Sequence, residues 1–225
     1  FIGLKLNYLS QHMEEGYPGN LNVEVNYILN DKNEFKILYT ANTDATTILN
    51  LTQHSYFNLS GESSGDILDH EVIINGDNFL PVDSGLIPTG EIRKVTNTPF
   101  DFRNEKKIGQ DINLDSKQLD YGIGYDHCWV LNDYGKGLRK VAQAKSNSTG
   151  ILLEVFSDQP GIQFYTGNFL DGTLVSKEGK SYEKRNGFCL ETQHFPNSPN
   201  QSNFPSVILS PKENYTTETW FKFSN

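Results

Sequence analysis

Along most of this chain apolar and polar side chains alternate with a period of two, and that pattern restricts it to β structure. Between Leu21 and Leu29, the residues Leu21, Val23, Val25, Tyr27 and Leu29 fall on one side and Asn22, Glu24, Asn26 and Ile28 on the other. Successive side chains of a strand point to opposite faces, so one row can be buried while the other meets water. Asn30-Asp31-Lys32-Asn33 supplies a turn, and residues 35–41 the return strand of a hairpin. Further strands are expected over 47–57, 71–75, 94–97, 127–132, 138–145, 151–157, 163–166, 188–193, 207–210 and 217–223. Only 105–112 suits a helical turn. The turns between them draw on 23 asparagines, 19 glycines and 9 prolines. The pattern predicts an all-β fold, a large antiparallel sandwich or barrel rather than βαβ units. No linker or repeat divides it, so residues 1–225 are read as a single domain. The stretch 195–205 is expected to be an ordered crossover loop anchored by Phe195 and Phe204.

Several function classes drop out on charge and composition. With 19 basic and 28 acidic side chains, net −9, the chain lacks the focused positive field that phosphate contacts require, so no nucleic-acid partner is expected. Its apolar runs are far shorter than the ~20 residues of a membrane-spanning helix, so a membrane partner is not expected either. Cys128 and Cys189 cannot build a disulfide framework, and the C-x-x-C or C-x-x-H spacing of a zinc site is absent. Two such cysteines fit the cytoplasm, with periplasm or secretion left open. Phe1-Ile2-Gly3-Leu4-Lys5-Leu6 enters a strand-like pattern with no initiator Met or leader, which reads as a chain entered in mid-sequence.

Chemistry concentrates in four segments. In Asn50-Leu51-Thr52-Gln53-His54-Ser55-Tyr56-Phe57-Asn58, a regular strand would put Asn50, Thr52, His54, Tyr56 and Asn58 on one face. That row is either an outer face or the floor of a ligand site in which His54 supplies a proton. In Phe188-Cys189-Leu190-Glu191-Thr192-Gln193, Glu191 interrupts an apolar strand; it is either an exposed edge residue or a carboxylate held as a base. His194 falls on the opposite face from Glu191. Asp126 and His127 sit where a glycine-rich loop meets a strand. Gln163-Phe164-Tyr165-Thr166-Gly167-Asn168-Phe169-Leu170-Asp171-Gly172 mixes aromatic rings with amides and carboxylates as sugar sites do, although Asp171-Gly172 is more simply a turn and the aromatics suit a large β core equally well. A metal centre from His54, His127, His194 and Glu191 is disfavoured, since none has an HxH or HxxxH partner.

Taken in order, Asn50 to Leu59, Leu80-Pro81-Val82-Asp83 with Ile87-Pro88-Thr89-Gly90-Glu91, Gly124-Tyr125-Asp126-His127, Pro160-Gly161-Ile162-Gln163-Phe164-Tyr165-Thr166-Gly167-Asn168, Cys189-Leu190-Glu191-Thr192-Gln193 and Thr219-Trp220-Phe221-Lys222-Phe223 resemble the aldose 1-epimerase (galactose mutarotase) family. Glu14-Glu15-Gly16-Tyr17-Pro18-Gly19 is similar to a segment near that family's midpoint. The resemblance implies a β-supersandwich, N-terminally incomplete here, with a sugar in an open cleft on one sheet. It implies Glu191 as catalytic base and His54 as catalytic acid, with both charged in the free enzyme through mutual attraction. Asp126, Gln163, Tyr56 and Ser55 would hold the substrate. A small aldohexose such as galactose or glucose is the implied partner, with no cofactor or metal and a monomer or homodimer as the assembly. Two family motifs, Gly-Arg and His-Gly-Gly, occur nowhere in the chain. A non-catalytic carbohydrate-binding sandwich, and a glycoside hydrolase using Asp126 and Glu191, are the competing readings.

Overall fold

The computed structural model describes residues 1–225. Its strands are β1 (Ile2–Ser10), β2 (Leu21–Leu29), β3 (Glu34–Thr43), β4 (Thr47–Ile48), β5 (Glu71–Ile74), β6 (Asn78–Leu80), β7 (Arg93–Lys94), β8 (Lys106–Lys107), β9 (Asp126–Val130), β10 (Arg139–Lys145), β11 (Leu152–Ser157), β12 (Gly161–Tyr165), β13 (Cys189–Gln193), β14 (Ile208–Leu209) and β15 (Tyr215–Ser224), with short helices α1 (Ile108–Asp111) and α2 (Lys117–Gly122). Eight strands form a large sheet in the order β1-β2-β3-β15-β11-β10-β5-β8, five form a smaller one in the order β13-β12-β9-β6-β7, and β14 pairs with β4. Neighbouring strands run antiparallel throughout, as in β2 with β3 and β12 with β13.

The expected β2–β3 hairpin forms, and its turn shows why. The Asn30 side-chain oxygen accepts the backbone N–H groups of Lys32 at 2.9 Å and Glu34 at 3.2 Å, and Asn33 takes the left-handed conformation at φ 57° that asparagine tolerates. Between the sheets, Ile37, Ile74, Val155 and Phe221 of the large sheet face Phe79, Trp129, Phe164 and Leu190 of the small one in one core cluster. Phe79 and Phe100 stack at 4.2 Å, and the Trp129 indole N–H donates to the Phe100 carbonyl at 2.9 Å. Each fully buried large side chain contributes about 1.5–3 kcal/mol. Phe195 and Phe204 pack edge to face at 5.2 Å in a separate buried cluster, anchoring the crossover loop as expected.

The helical turn expected within 105–112 is present as the four residues of α1, preceded by a two-residue strand paired with β5, but it is not the only one, since α2 lies beyond that stretch. One expectation needs correction. The 47–57 stretch is not one strand: only Thr47–Ile48 is extended in a ladder, and Phe57 makes an isolated bridge with Phe188. Between those points the segment runs beside the free edge of β13 and is joined to it by side chains. Gln53 Nε2 donates to the Leu190 carbonyl at 2.8 Å, Thr52 Oγ1 to Thr192 at 2.9 Å, and Asn50 Nδ2 to His194 at 2.9 Å. Phe57 N donates to the Phe188 carbonyl at 2.8 Å. The alternate carbonyls of an edge strand thus find donors without a continuous backbone ladder. The period-two polar pattern is real, but Asn50 and Thr52 serve backbone satisfaction rather than a ligand floor. Asn58 does likewise, donating to the carbonyls of Gly65 and Asn186.

Candidate active site

Strand register brings the polar groups of the small sheet to one face. Gln163 on β12 lies between Glu191 on β13 and Cys128 on β9, and Tyr165 between Cys189 and Asp126. Side chains two apart share a face, so Cys189 and Glu191, Gln163 and Tyr165, and Asp126 project together, away from the core that takes Leu190, Phe164 and Trp129. The 50–58 segment brings His54 in over this face. The result is an open cleft of about 420 Å³ lined by His54, Tyr56, Asp126, Gln163, Tyr165, Phe169, Glu191, Gln193 and Pro196.

Five of the six residues singled out from the sequence therefore meet in one place. Ser55 does not line the cleft; its backbone N–H donates to Gln53 Oε1 at 2.6 Å. Sequence reading had not assigned Tyr165, Phe169, Gln193 or Pro196 to the site. For Tyr165 and Gln193 the signal was present, since each lies two residues from Gln163 or Glu191 in the same strand, the spacing that keeps side chains on one strand face.

His54 Nε2 lies 3.5 Å from Glu191 Oε1, and Cys189 Sγ lies 3.4 Å from His54 Nδ1. The imidazole is about half exposed, 5.0 Å from the Tyr56 ring and edge-on to Tyr165 at 6.0 Å. Glu191 is only 7% exposed. Burial, with the nearby Asp126 carboxylate adding to it, raises its carboxyl from the ordinary 4.5 to about 7. This corrects the expectation of a fully ionised Glu191: near neutrality it is divided between its two forms, the position from which a base exchanges protons most effectively. Asp126 is also raised by burial, while its bond from Gln163 Nε2 at 2.8 Å and the proximity of His54 act the other way.

The other histidines are elsewhere. His127 projects from the opposite face of β9 into the core, with Nε2 3.2 Å from Gln118 Oε1, and burial pushes it down to about 3. His194 Nδ1 lies 2.7 Å from Gln159 Oε1. The disfavoured metal set of His54, His127, His194 and Glu191 is thus not assembled. A larger groove of about 740 Å³ opens on the other side of Tyr56, but it is lined mainly by apolar side chains and holds no histidine.

The fold and cleft define a β-sandwich with a histidine–carboxylate pair set among aromatic and amide groups on one sheet. The aldose 1-epimerase family model matches residues 3–222, and the chain belongs to that family. It is 49% identical over 222 residues to galactose mutarotase from Bos taurus, covering 99% of this chain and 63% of that protein. It is 39% identical to aldose 1-epimerase from Escherichia coli K12, covering 93% of this chain and 60% of the relative. Among solved structures, an aldose epimerase homologue from C. elegans superposes with a TM-score of 0.87 at 30% identity, covering 99% of this chain and 66% of that one. The chain therefore spans 60–66% of the length of these relatives.

Proposed function

We propose that this chain carries the acid/base centre of an aldose 1-epimerase, interconverting the α and β anomers of a free hexose such as galactose or glucose. The observation that carries this reading is the His54–Glu191 pair, 3.5 Å apart on one open cleft with the carboxyl held near neutrality. The ring oxygen and the anomeric hydroxyl of a pyranose hang from the same carbon, so an acid and a base acting on them must be close neighbours. Glu191 takes the proton of the anomeric hydroxyl while His54 protonates the ring oxygen. The C1–O5 bond breaks with its electron pair going to O5, and a carbonyl forms at C1. Rotation about C1–C2 and reclosure on the other carbonyl face, with the two roles exchanged, gives the opposite anomer.

Asp126 and Gln163 suit sugar hydroxyls, and Tyr56, Tyr165 and Phe169 offer rings against which a pyranose can lie. The hydrolase reading, with Asp126 and Glu191 as its carboxylate pair, leaves His54 without a role. No helix is long and apolar enough to cross a membrane; the cytoplasm is the compartment this reading favours, and monomer or homodimer the assembly.

The test is polarimetry or proton NMR on freshly dissolved α-D-galactose and α-D-glucose. The chain should speed the approach to anomeric equilibrium, and Glu191→Gln should return the rate to that of buffer. A rate gain that survives in Glu191→Gln refutes the mechanism. Sugar binding by calorimetry with no rate gain would instead support a non-catalytic carbohydrate-binding module.

A further inference from the structure

Cys189 has no part in proton transfer between O1 and O5, yet its sulfur sits against both groups that do. A ring nitrogen of His54, Cys189 Sγ and a Glu191 carboxylate oxygen all lie within 4.8 Å of one another. Cys189 and Glu191 share one face of β13, two residues apart, and His54 closes over them. In a tetrahedral site with bonds of about 2.0 Å to nitrogen and oxygen and about 2.3 Å to sulfur, ligand atoms stand about 3.3–3.6 Å apart. The Sγ–Nδ1 separation of 3.4 Å and the Nε2–Oε1 separation of 3.5 Å are of that order, although they engage opposite nitrogens of the ring. The imidazole is half exposed, so a modest swing presents a single nitrogen to an ion shared with the other two.

The donor set also selects among ions. Sulfur with imidazole and carboxylate favours zinc and its neighbours over the oxygen-seeking magnesium and calcium. A thiolate and a carboxylate neutralise a divalent charge, and Asp126, close enough to perturb Glu191, adds to the attraction.

We propose that His54, Cys189 and Glu191 form a binding site for a thiophilic divalent cation of the zinc type, whose occupancy excludes these groups from proton transfer. Binding releases the thiol proton to solvent as the Sγ electron pair passes to the metal. The site would act as an inhibitory one, reversed by a chelator.

The test uses the whole reduced chain with zinc chloride and cobalt chloride. Titration calorimetry should give one zinc ion per chain, and cobalt should produce the near-ultraviolet thiolate-to-metal absorption of a sulfur-ligated ion. Cys189→Ser and Cys189→Ala should abolish that absorption and weaken zinc binding by more than the about 10–100-fold typical of losing an outer-shell partner. Cys128→Ser, at the other buried cysteine, should preserve both signals. Absence of saturable zinc binding, or unchanged affinity and absorption in the Cys189 variants, would overturn the proposal. Should those variants fail to fold, His54→Ala, at a half-exposed side chain, decides: loss of the cobalt-thiolate absorption with weakened zinc binding supports the site, and unchanged affinity and absorption refute it. None of these readouts depends on sugar conversion, so they fail independently of the epimerase reading.

Discussion

Replacing Asp126 by asparagine should move the titration of Glu191 without disturbing its surroundings. Glu191 on β13 and Asp126 on β9 are separated by β12, two interstrand steps of about 4.8 Å, and by two residues of about 3.4 Å along the strand. Their backbones are thus about 12 Å apart and their side chains rise from the same face. At an effective dielectric of about 20, two unit charges at that distance interact by about 1.4 kcal/mol, which corresponds to about one pH unit. Burial, the larger cause of the elevation, stays in place, and the new amide still offers an oxygen to Gln163. The Glu191 midpoint should therefore fall from about 7 to about 6. Carbon NMR of the glutamate side-chain carboxyls, with Glu191→Gln assigning the resonance, measures this directly. The acid limb of any epimerase pH profile should move with it. A midpoint that stays in place or rises in Asp126→Asn refutes the role given to the Asp126 charge; an unsubstituted Glu191 titrating near 4.5 refutes the burial argument itself.

Three further outcomes can be checked by denaturation. A buried carboxyl raised from 4.5 to about 7 destabilises the folded state once it must ionise, so Glu191→Gln should stabilise by about 3 kcal/mol at pH 8, with the gain vanishing as pH falls towards 4.5; urea titrations at both pH values would show whether the difference has this sign. Gln53→Ala removes the donor to the Leu190 carbonyl and the acceptor for the Ser55 N–H, and should cost about 2–3 kcal/mol in urea denaturation; a neutral result would mean that the 50–58 segment is held by other contacts. At Gly161 an added Cβ would stand 2.8 Å from Cys128 Sγ and 3.0 Å from Phe195, so Gly161→Ala should cost about 1–3 kcal/mol and lower the melting temperature, an unchanged melt being the contrary outcome.

The sheets were legible where burial on a single face enforces alternation. The hairpin of β2 and β3 and strands β10, β11, β13 and β15 all lie close to their expected bounds, because each has one row facing the core. Asn78–Leu80, only three residues long, carries too little pattern to be seen. Helix α2 was missed for a different reason: its Gln118 is buried to bond both backbone groups of Val82, a role that an amphipathic pattern does not reveal. Glu191 and Asp126 stood out because charge is unusual in such strands. Which side chains would join them could not be read locally, since Gln163 meets both only through the registers of β12 with β9 and β13. The 47–57 error has the same origin. Asn50 and Thr52, two residues apart, fit a solvated strand face and a pair of side chains reaching a neighbour's carbonyls equally well.

That lateral attachment bears on how precisely His54 is aligned over Glu191. A backbone ladder is nearly indifferent to sequence, so a paired strand can slide by two residues and find an equivalent set of partners. Asn50, Thr52 and Gln53 reach the carbonyls of His194, Thr192 and Leu190 with side chains of different lengths, and a slip of two residues one way would set Ile48 and Leu51, which carry no donor, against His194 and Leu190. The height of the imidazole above Glu191 is thus encoded in residue identity, like the teeth of a key, rather than in the repeating geometry of a sheet.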